Sequence, residues 1–488
     1  MATIYIDFSA ANDGDGTTAA QAGSPAGVGA FNTIAGHISD GDIVWIRRVG
    51  TYNLASQFVL PNGGEINGWP LSTDTNYSSR PVSGQTYWDA DPTGTTSDDY
   101  VTLTSTAYAK NILKDGAHDI LTHMRRIHFL VSDSTDNNNS CPLYIQGNNL
   151  KVHNCYIERS GTNIGKGAVC FIKGASTSDW VSGTLLNNCI LERSATGTTD
   201  YFSWWGVLLI ENAHANIIQN CTLQAGNAYR GQNGGSILLT FYAYAERNTV
   251  RGCTLKATST VDETDIDTSY WAWVRTSQAS CNHNLISDCI IEDEETGTDY
   301  GKISISNKGV HNKYERIKLI RGGMIYLEGD GNSLDIFNSA FIAGASAPSE
   351  TILLGAGADH STVVVRASTF DAVSLAHVQM LAGNFYSNVY FSGCTMPSTV
   401  SADAGTECSV SVLGAGSLAG YWKKISSSSY IVADSSVTRT GGESFSLRGS
   451  PSAAGPNPIT IGSPENPTLF LNLSSGANTI DLYGAYKN

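Results

Sequence analysis

Charge is scarce in this 488-residue chain: 15% of residues are Asp, Glu, Lys or Arg, with 29 basic against 44 acidic. A net charge of −15 without a basic stripe excludes a nucleic-acid partner, whose phosphates need clustered Lys and Arg. Long apolar runs are missing too, so no membrane insertion is expected. The opening, Met1-Ala2-Thr3-Ile4-Tyr5-Ile6-Asp7, has no basic stretch followed by an apolar one. No secretory leader is therefore expected, and the chain is expected to be made in a cytosol, where thiols stay reduced. No CxxC pair exists among the ten cysteines and no His stands at ligand spacing from one, which argues against a metal site; no cofactor is expected either. His118, His123, His128 and His153 come with no Ser in a nucleophile elbow. The loop Asp13-Gly14-Asp15-Gly16 lacks the later Glu of a calcium-binding EF-hand and reads as a surface turn.

What is abundant is a short phrase. Six cysteines recur in Asn154-Cys155-Tyr156-Ile157, Asn188-Cys189-Ile190-Leu191, Asn220-Cys221-Thr222-Leu223, Gly252-Cys253-Thr254-Leu255, Asp288-Cys289-Ile290-Ile291 and Gly393-Cys394-Thr395-Met396. Ile317, Ser339 and Ser368 fill the cysteine slot in three further copies, and Arg126-Ile127-His128-Phe129 is an earlier, weaker one. From Cys155 onward the steps are 34, 32, 32, 36, 28, 22, 29 and 26 residues. A repeat of that length with a small or apolar residue in a fixed slot marks a solenoid.

Each copy ends a run with a side-chain period of two, such as Leu150-Lys151-Val152-His153 or Val363-Val364-Val365-Arg366, which is a strand with one face inward. A second strand recurs upstream, as in Leu143-Tyr144-Ile145, Leu208-Leu209-Ile210 and Ile325-Tyr326-Leu327. Gly147, Gly174, Asn212, Asn307, Gly329 or Gly355 follows it, residue types that tolerate the positive φ of a tight corner. The expected coil is strand, corner, strand and a variable loop, stacked into a parallel β-helix. The cysteines then form an inward rung of small buried hydrophobes. Disulfides between coils would need side chains turned along the stack, and packing accounts for the rung better.

The pattern divides the chain into residues 1–106, an N-terminal cap with first coils and a long polar loop, residues 107–402, the β-helix coils, and residues 403–488, a β-rich segment. A solenoid must cover its ends, so the last segment reads as a cap or as an oligomerisation domain.

The opening resembles a known group. Tyr5-Ile6-Asp7, Asn12-Asp13-Gly14-Asp15-Gly16-Thr17, Phe31-Asn32-Thr33-Ile34, Gly41-Asp42-Ile43-Val44-Trp45-Ile46-Arg47 and Gly50-Thr51-Tyr52 are similar to the first coils of right-handed parallel β-helix proteins. These include the pectate-lyase-like superfamily and many bacteriophage tailspikes and tail fibres. The Asn-Cys-x-Ile/Leu coils are similar to that superfamily's repeat, and the resemblance spans residues 4–400. It implies an all-β right-handed parallel β-helix and leaves activity open, because the fold carries lyases, hydrolases, esterases and inert structural proteins. The clustered Asp calcium ligands and Arg base of a pectate-lyase-type site find no match, nor do an esterase motif or a separate virion-binding domain ahead of the coils.

Chemistry is expected in the long loops. Trp204 and Trp205, then Tyr229 and Arg230, then Tyr270, Trp271 and Trp273 lie in successive loops beside an acidic stretch. Residues 262–299 hold ten acids against Arg275 alone. Aromatic faces stack on pyranose rings and a carboxylate pair can cleave between them. Those seven residues are therefore the candidate glycan contacts, and Glu211, Asp265, Asp267 and Glu292 the candidate catalytic carboxylates. The competing reading is a solvated acidic rim with Trp plugging a flank or a subunit interface. Two functions follow. One is a structural protein on the surface of a bacteriophage virion, as tail spike, tail fibre or capsid decoration, with a homotrimer, other virion proteins and host surface polysaccharide as partners. The other is a glycan-cleaving hydrolase or lyase.

Overall fold

The computed structural model describes residues 3–6, 38–46, 51–53, 58–68, 101–105, 112–114, 121–132, 141–161, 168–195, 206–225, 237–257, 272–293, 303–321, 324–342, 351–355, 357–370, 376–380, 386–395, 400–404, 409–413, 423–424 and 430–433. Among the described residues every regular element is a strand and every strand pairing is parallel. The chain divides into two compact units, residues 1–265 with 293–295 and residues 266–292 with 296–488.

Each coil of the first unit contributes one strand to each of three sheets. One coil runs through Cys170–Lys173 (sheet 1), Leu185–Asn187 (sheet 2) and Ile190–Ala195 (sheet 3). The next runs through Leu208–His214, Ile217–Gln219 and Thr222–Ala225. The following one runs through Leu239–Glu246, Thr249–Arg251 and Thr254–Ala257. The second unit repeats the plan, for example Ile303–Asn307, Asn312–Glu315 and Lys318–Ile320. Parallel strands joined by such crossovers wind right-handedly. The fold is a right-handed parallel β-helix.

In-register stacking builds the core. Leu143, Cys170, Leu208 and Leu239 form one inward ladder of sheet 1, and Ile145, Ile172, Ile210 and Phe241 a second. Met124, Val152, Leu186, Ile218 and Val250 line sheet 2, and Phe129, Ile157, Leu191, Leu223 and Leu255 line sheet 3. All are buried; each large aliphatic side chain stabilises the fold by about 1.5–3 kcal/mol before its ordering cost.

The recurrent phrase is a corner between sheets 2 and 3, so a third strand follows the markers from Asn154 to Ala367 where the sequence pattern predicts a loop. Asn154, Asn188, Asn220, Gly252, Asp288, Arg316, Asn338, Ala367 and Gly393 all have φ between 47° and 61°. That left-handed residue turns the next one inward. The thiols of Cys155, Cys189, Cys221 and Cys253 then donate to the carbonyl two residues back, at 3.4, 3.3, 3.1 and 3.3 Å. Ser339 and Ser368 do the same through their hydroxyls at 3.0 and 2.8 Å. The slot therefore favours a small weak donor, Ile317 filling it by packing alone, and all nine described cysteines are buried thiols outside any disulfide.

Of the six Gly and Asn residues expected to make left-handed corners after sheet 1, Asn212 (φ 46°) and Gly329 (φ 92°) do so. In several other coils the turn falls later, at Asn149, His283 and His311. A buried asparagine ladder carries the corner into sheet 2 beside left-handed Ala215 and Arg247. Asn216 Oδ1 accepts from Thr184 N at 2.9 Å, Asn216 Nδ2 donates to Val181 O at 3.1 Å, and Asn248 Oδ1 accepts from Asn216 Nδ2 at 3.0 Å. These bonds satisfy backbone groups that a corner would otherwise bury bare. Strands of the second unit continue to Tyr430–Ala433.

Candidate functional site

Three outward features of the first unit bear on function. The first is an aromatic shelf where sheet 1 turns into sheet 2. Gly174 starts the loop that carries Trp180: a Cβ there would run into the carbonyl oxygens of Asp179 and Asn212. Trp180 Nε1 donates to Thr177 O. One coil on, His214 stands edge-to-face to Trp180 at 5.1 Å between ring centroids; another coil on, Tyr244 does so at 6.3 Å. A bulge aims Tyr244: Glu211 pairs Tyr242 and Ala213 pairs Ala245, so Ala243 and Tyr244 together oppose Asn212. Both bulge residues are left-handed (φ 28° and 54°), and Tyr244 is 40% exposed. Strain of this kind costs of order 1–3 kcal/mol per residue and gathers at functional positions.

The second feature is a polar ladder on the outer face of sheet 2. Arg125 donates to Glu65 at 2.9 Å, to Asn67 at 3.3 Å and to His123 Nδ1 at 2.9 Å. His123 stacks toward His153 at 6.1 Å, and Asn187 contacts His153 at 3.5 Å. Gln219 donates to Asn187 at 2.9 Å, and Arg251 closes the ladder on Gln219 Oε1 at 3.0 and 2.6 Å. Burial and then the Arg125 charge, with smaller pushes from His153 and Lys151, bring His123 down to about 4 against the pull of Glu65. Asn187, Gln219 and Arg251 belong to the same coils as the shelf.

The third is a titratable cluster on the outer face of sheet 3. Glu158 and Glu192 occupy the same row on neighbouring strands, with Tyr156 paired to His128 and to Ile190 one row before them. His128 Nε2 meets Glu158 at 3.2 Å, Ser194 donates to Glu158 at 2.8 Å, and the Tyr156 hydroxyl donates to Glu192. The His128 ring stacks on Tyr156 at 4.5 Å, and its buried Nδ1 has no hydrogen-bond partner. Burial alone would raise the Glu158 carboxyl, yet hydrogen bonds from His128 and Ser194 outweigh it and hold the group below its usual range. Burial and the bond to Glu192 push the Tyr156 phenol up. On the inner side, Arg159 and Arg193 stack in register, and burial plus Arg159 lower Arg193 to about 9.

Sequence reasoning missed this cluster, although Tyr156-Ile157-Glu158-Arg159-Ser160 and Ile190-Leu191-Glu192-Arg193-Ser194 repeat Glu-Arg-Ser 34 residues apart. It missed the shelf because Trp180 stands outside the long loops. Of the residues it chose, Trp204, Trp205, Asp265, Asp267, Tyr229, Arg230, Tyr270 and Trp271 lie outside the described residues. Trp273 is 0% exposed, so its ring has no face for a sugar, and it is withdrawn as a stacking contact. Glu211 is buried on sheet 1 and paired with Lys173 at 2.8 Å. Glu292 sits half-buried on sheet 3 of the second unit. Among the described residues, no group of three or more His, Cys, Asp or Glu could hold a metal ion, and no helix is long and apolar enough to cross a membrane.

The fold and these outward rows define a β-helix protein with polar and aromatic faces. No family model and no curated protein matches the sequence. Among solved structures it is similar to bacteriophage CBA120 tailspike protein 3 (11% identity, TM-score 0.39, covering 96% of this chain and 62% of that one). It is also similar to PfbA, a surface adhesin of Streptococcus pneumoniae (12% identity, TM-score 0.38, covering 87% and 94%). A third is the PL6 family alginate lyase AlyGC (8% identity, TM-score 0.17, covering 89% and 98%). The chain spans less than two thirds of the tailspike's length.

Proposed function

We propose that this chain is a surface protein of a bacteriophage virion that contacts host surface polysaccharide along its first unit. The observation that carries the glycan reading is the Trp180–His214–Tyr244 shelf, which continues into the polar ladder on the same coils. The exposed Tyr244 ring and the half-buried rings of Trp180 and His214 offer apolar surface to the C–H side of a pyranose, while planar amide, imidazole and guanidinium groups serve its hydroxyls. Successive coils stand about 4.8 Å apart, so the ladder from Arg125 to Arg251 presents a long row to an extended polymer. The likeness of residues 5–52 to the first coils of tailspikes and tail fibres supports the virion setting, with a homotrimer and other virion proteins as partners.

The test is binding of the full chain to immobilised bacterial capsular polysaccharides and lipopolysaccharide O-chains. Trp180→Ala and Tyr244→Ala should each weaken binding roughly tenfold, the loss of about 1.4 kcal/mol of stacking. No binding to any of these polymers, or variants that bind as tightly as the parent, would overturn the reading.

A further inference from the structure

We propose that the second unit carries a slot for a single neutral pyranose between two imidazole faces, those of His311 and His360, floored by Gly331 and edged by Asp330. The slot goes beyond the first-unit reading and does not depend on it.

Register creates the slot. His283 and His311 each stand two residues ahead of the paired strand residues Leu285 and Lys313, and their rings stack at 4.9 Å. Lys313 pairs Asp335 on the next coil. Two residues ahead of Asp335 is Ser333, so that column loses its ring there. A second column runs through Gly331, His360 and Tyr386, each two residues ahead of the paired residues Ser333, Thr362 and Asn388. His360 and Tyr386 stack at 5.2 Å, and this column loses its ring at Gly331. Both stacks therefore stop at the same coil and approach it from opposite sides, offset by the step from Gly331 to Ser333. Each stacked ring has one face on its partner, so the second faces of His311 and His360 turn toward the coil between them. Two rungs of about 4.8 Å each separate those faces along the solenoid.

Gly331 makes the space. Its φ of 70° does not require glycine, because His360 and Tyr386 hold the same position at 52° and 55°. Crowding does not require it either, since a Cβ on Gly331 would meet nothing within 4 Å. The floor is held in place: Gly331 N donates to Asp359 O at 2.7 Å, and Asn332 Nδ2 donates to Glu328 O and Gly329 O at 2.6 Å. His283, His311, His360 and Tyr386 are all exposed, so core packing does not account for their rings. A left-handed tyrosine is uncommon, and residues held in such conformations gather at functional positions.

The lining selects the ligand. Flat ring faces suit the C–H side of a sugar. His360 Nδ1 donates to Asp330 Oδ1 at 3.0 Å, which orients the ring and leaves the carboxylate lone pairs for sugar hydroxyls. Ser333 Oγ accepts from His311 N at 2.6 Å and keeps its own proton to donate. A puckered pyranose is thicker than an aromatic ring and suits a two-rung gap. The Asp330 charge disfavours an acidic sugar.

The experiment is ligand-observed saturation transfer from the full chain to methyl glycosides of glucose, galactose, mannose and N-acetylglucosamine. It uses the Trp180→Ala/Tyr244→Ala background, which removes the first-unit shelf. At least one glycoside should show saturable transfer, and methyl glucuronide should bind more weakly than methyl glucoside. Gly331→His completes the column and should weaken binding roughly tenfold. Its melting temperature should not change, because His360 already holds that conformation one coil on. Asp330→Asn, at an exposed position, should weaken binding several-fold without touching the floor. No saturable transfer to any glycoside, or both variants binding as tightly as their parent, would overturn the slot. Tighter binding of adenosine or indole than of every glycoside would overturn the sugar assignment. Polysaccharide binding through Trp180 and Tyr244 without glycoside binding here would overturn the slot and leave the first-unit reading standing; the reverse would overturn that reading alone.

Discussion

His123 shows how a solenoid surface sets the chemistry of one side chain. Its neighbours on the ladder are Glu65, Arg125, Lys151 and His153, and burial together with the adjacent cations lowers it to about 4. An unfolded His titrates near 6.5, so between pH 6.5 and about 4 the unfolded chain binds the extra proton. Stability should therefore fall as pH drops through that window, and His123→Gln should flatten the dependence of the melting temperature there. Glu158 acts in the same sense lower down: with its carboxyl held below the usual range, its contribution is present above about 4.3 and lost as pH falls further. The cysteines are the other residue-scale case. Burial pushes the thiols of Cys155 and Cys221 up, and all nine described thiols are closed off from solvent, so they should ignore Ellman's reagent in the folded chain and react once it is denatured. Rapid reaction of more than one thiol of the native protein would contradict the packed-rung account, since Cys408 alone lies outside the described residues.

At the scale of elements, corners carry more of the specificity than strands do. Asn216 is fully buried and holds Thr184 N, Val181 O and Asn248 at once. Asn216→Ala leaves two backbone groups without partners, at about 1–3 kcal/mol each, and should lower the urea midpoint by the corresponding amount. The bulge at Ala243 and Tyr244 works the opposite way, spending stability to aim a ring. Tyr244→Gly removes a left-handed side chain that costs about 1–2 kcal/mol. It should keep the melting temperature within a few degrees of the parent while weakening polysaccharide binding as much as Tyr244→Ala does; a large loss of stability would show that Tyr244 is a packing residue.

At the scale of the molecule, stacked coils make each contact a neighbour contact, so damage stays local and the ends need covering. Because strands continue to Ala433, removal of residues 434–488 tests the part of the 403–488 segment beyond them without cutting a described coil. If that segment assembles the expected homotrimer, light scattering should show trimers for the full chain and monomers for the truncation. Trimers that survive it would place assembly elsewhere.

Periodicity in the sequence determined the solenoid and the inward cysteine rung, because a two-residue alternation and a small residue in a fixed slot are local properties that the coils repeat. Even the Glu-Arg-Ser doublet stood in plain view at a spacing of 34. What local pattern could not decide is which outward residues from different coils meet. Trp180, His214 and Tyr244 lie 34 and 30 residues apart, and a bulge of one residue brings the third to the first. Register, fixed only when coils stack, turned Glu158 and Glu192 into neighbours and closed Trp273 off from solvent.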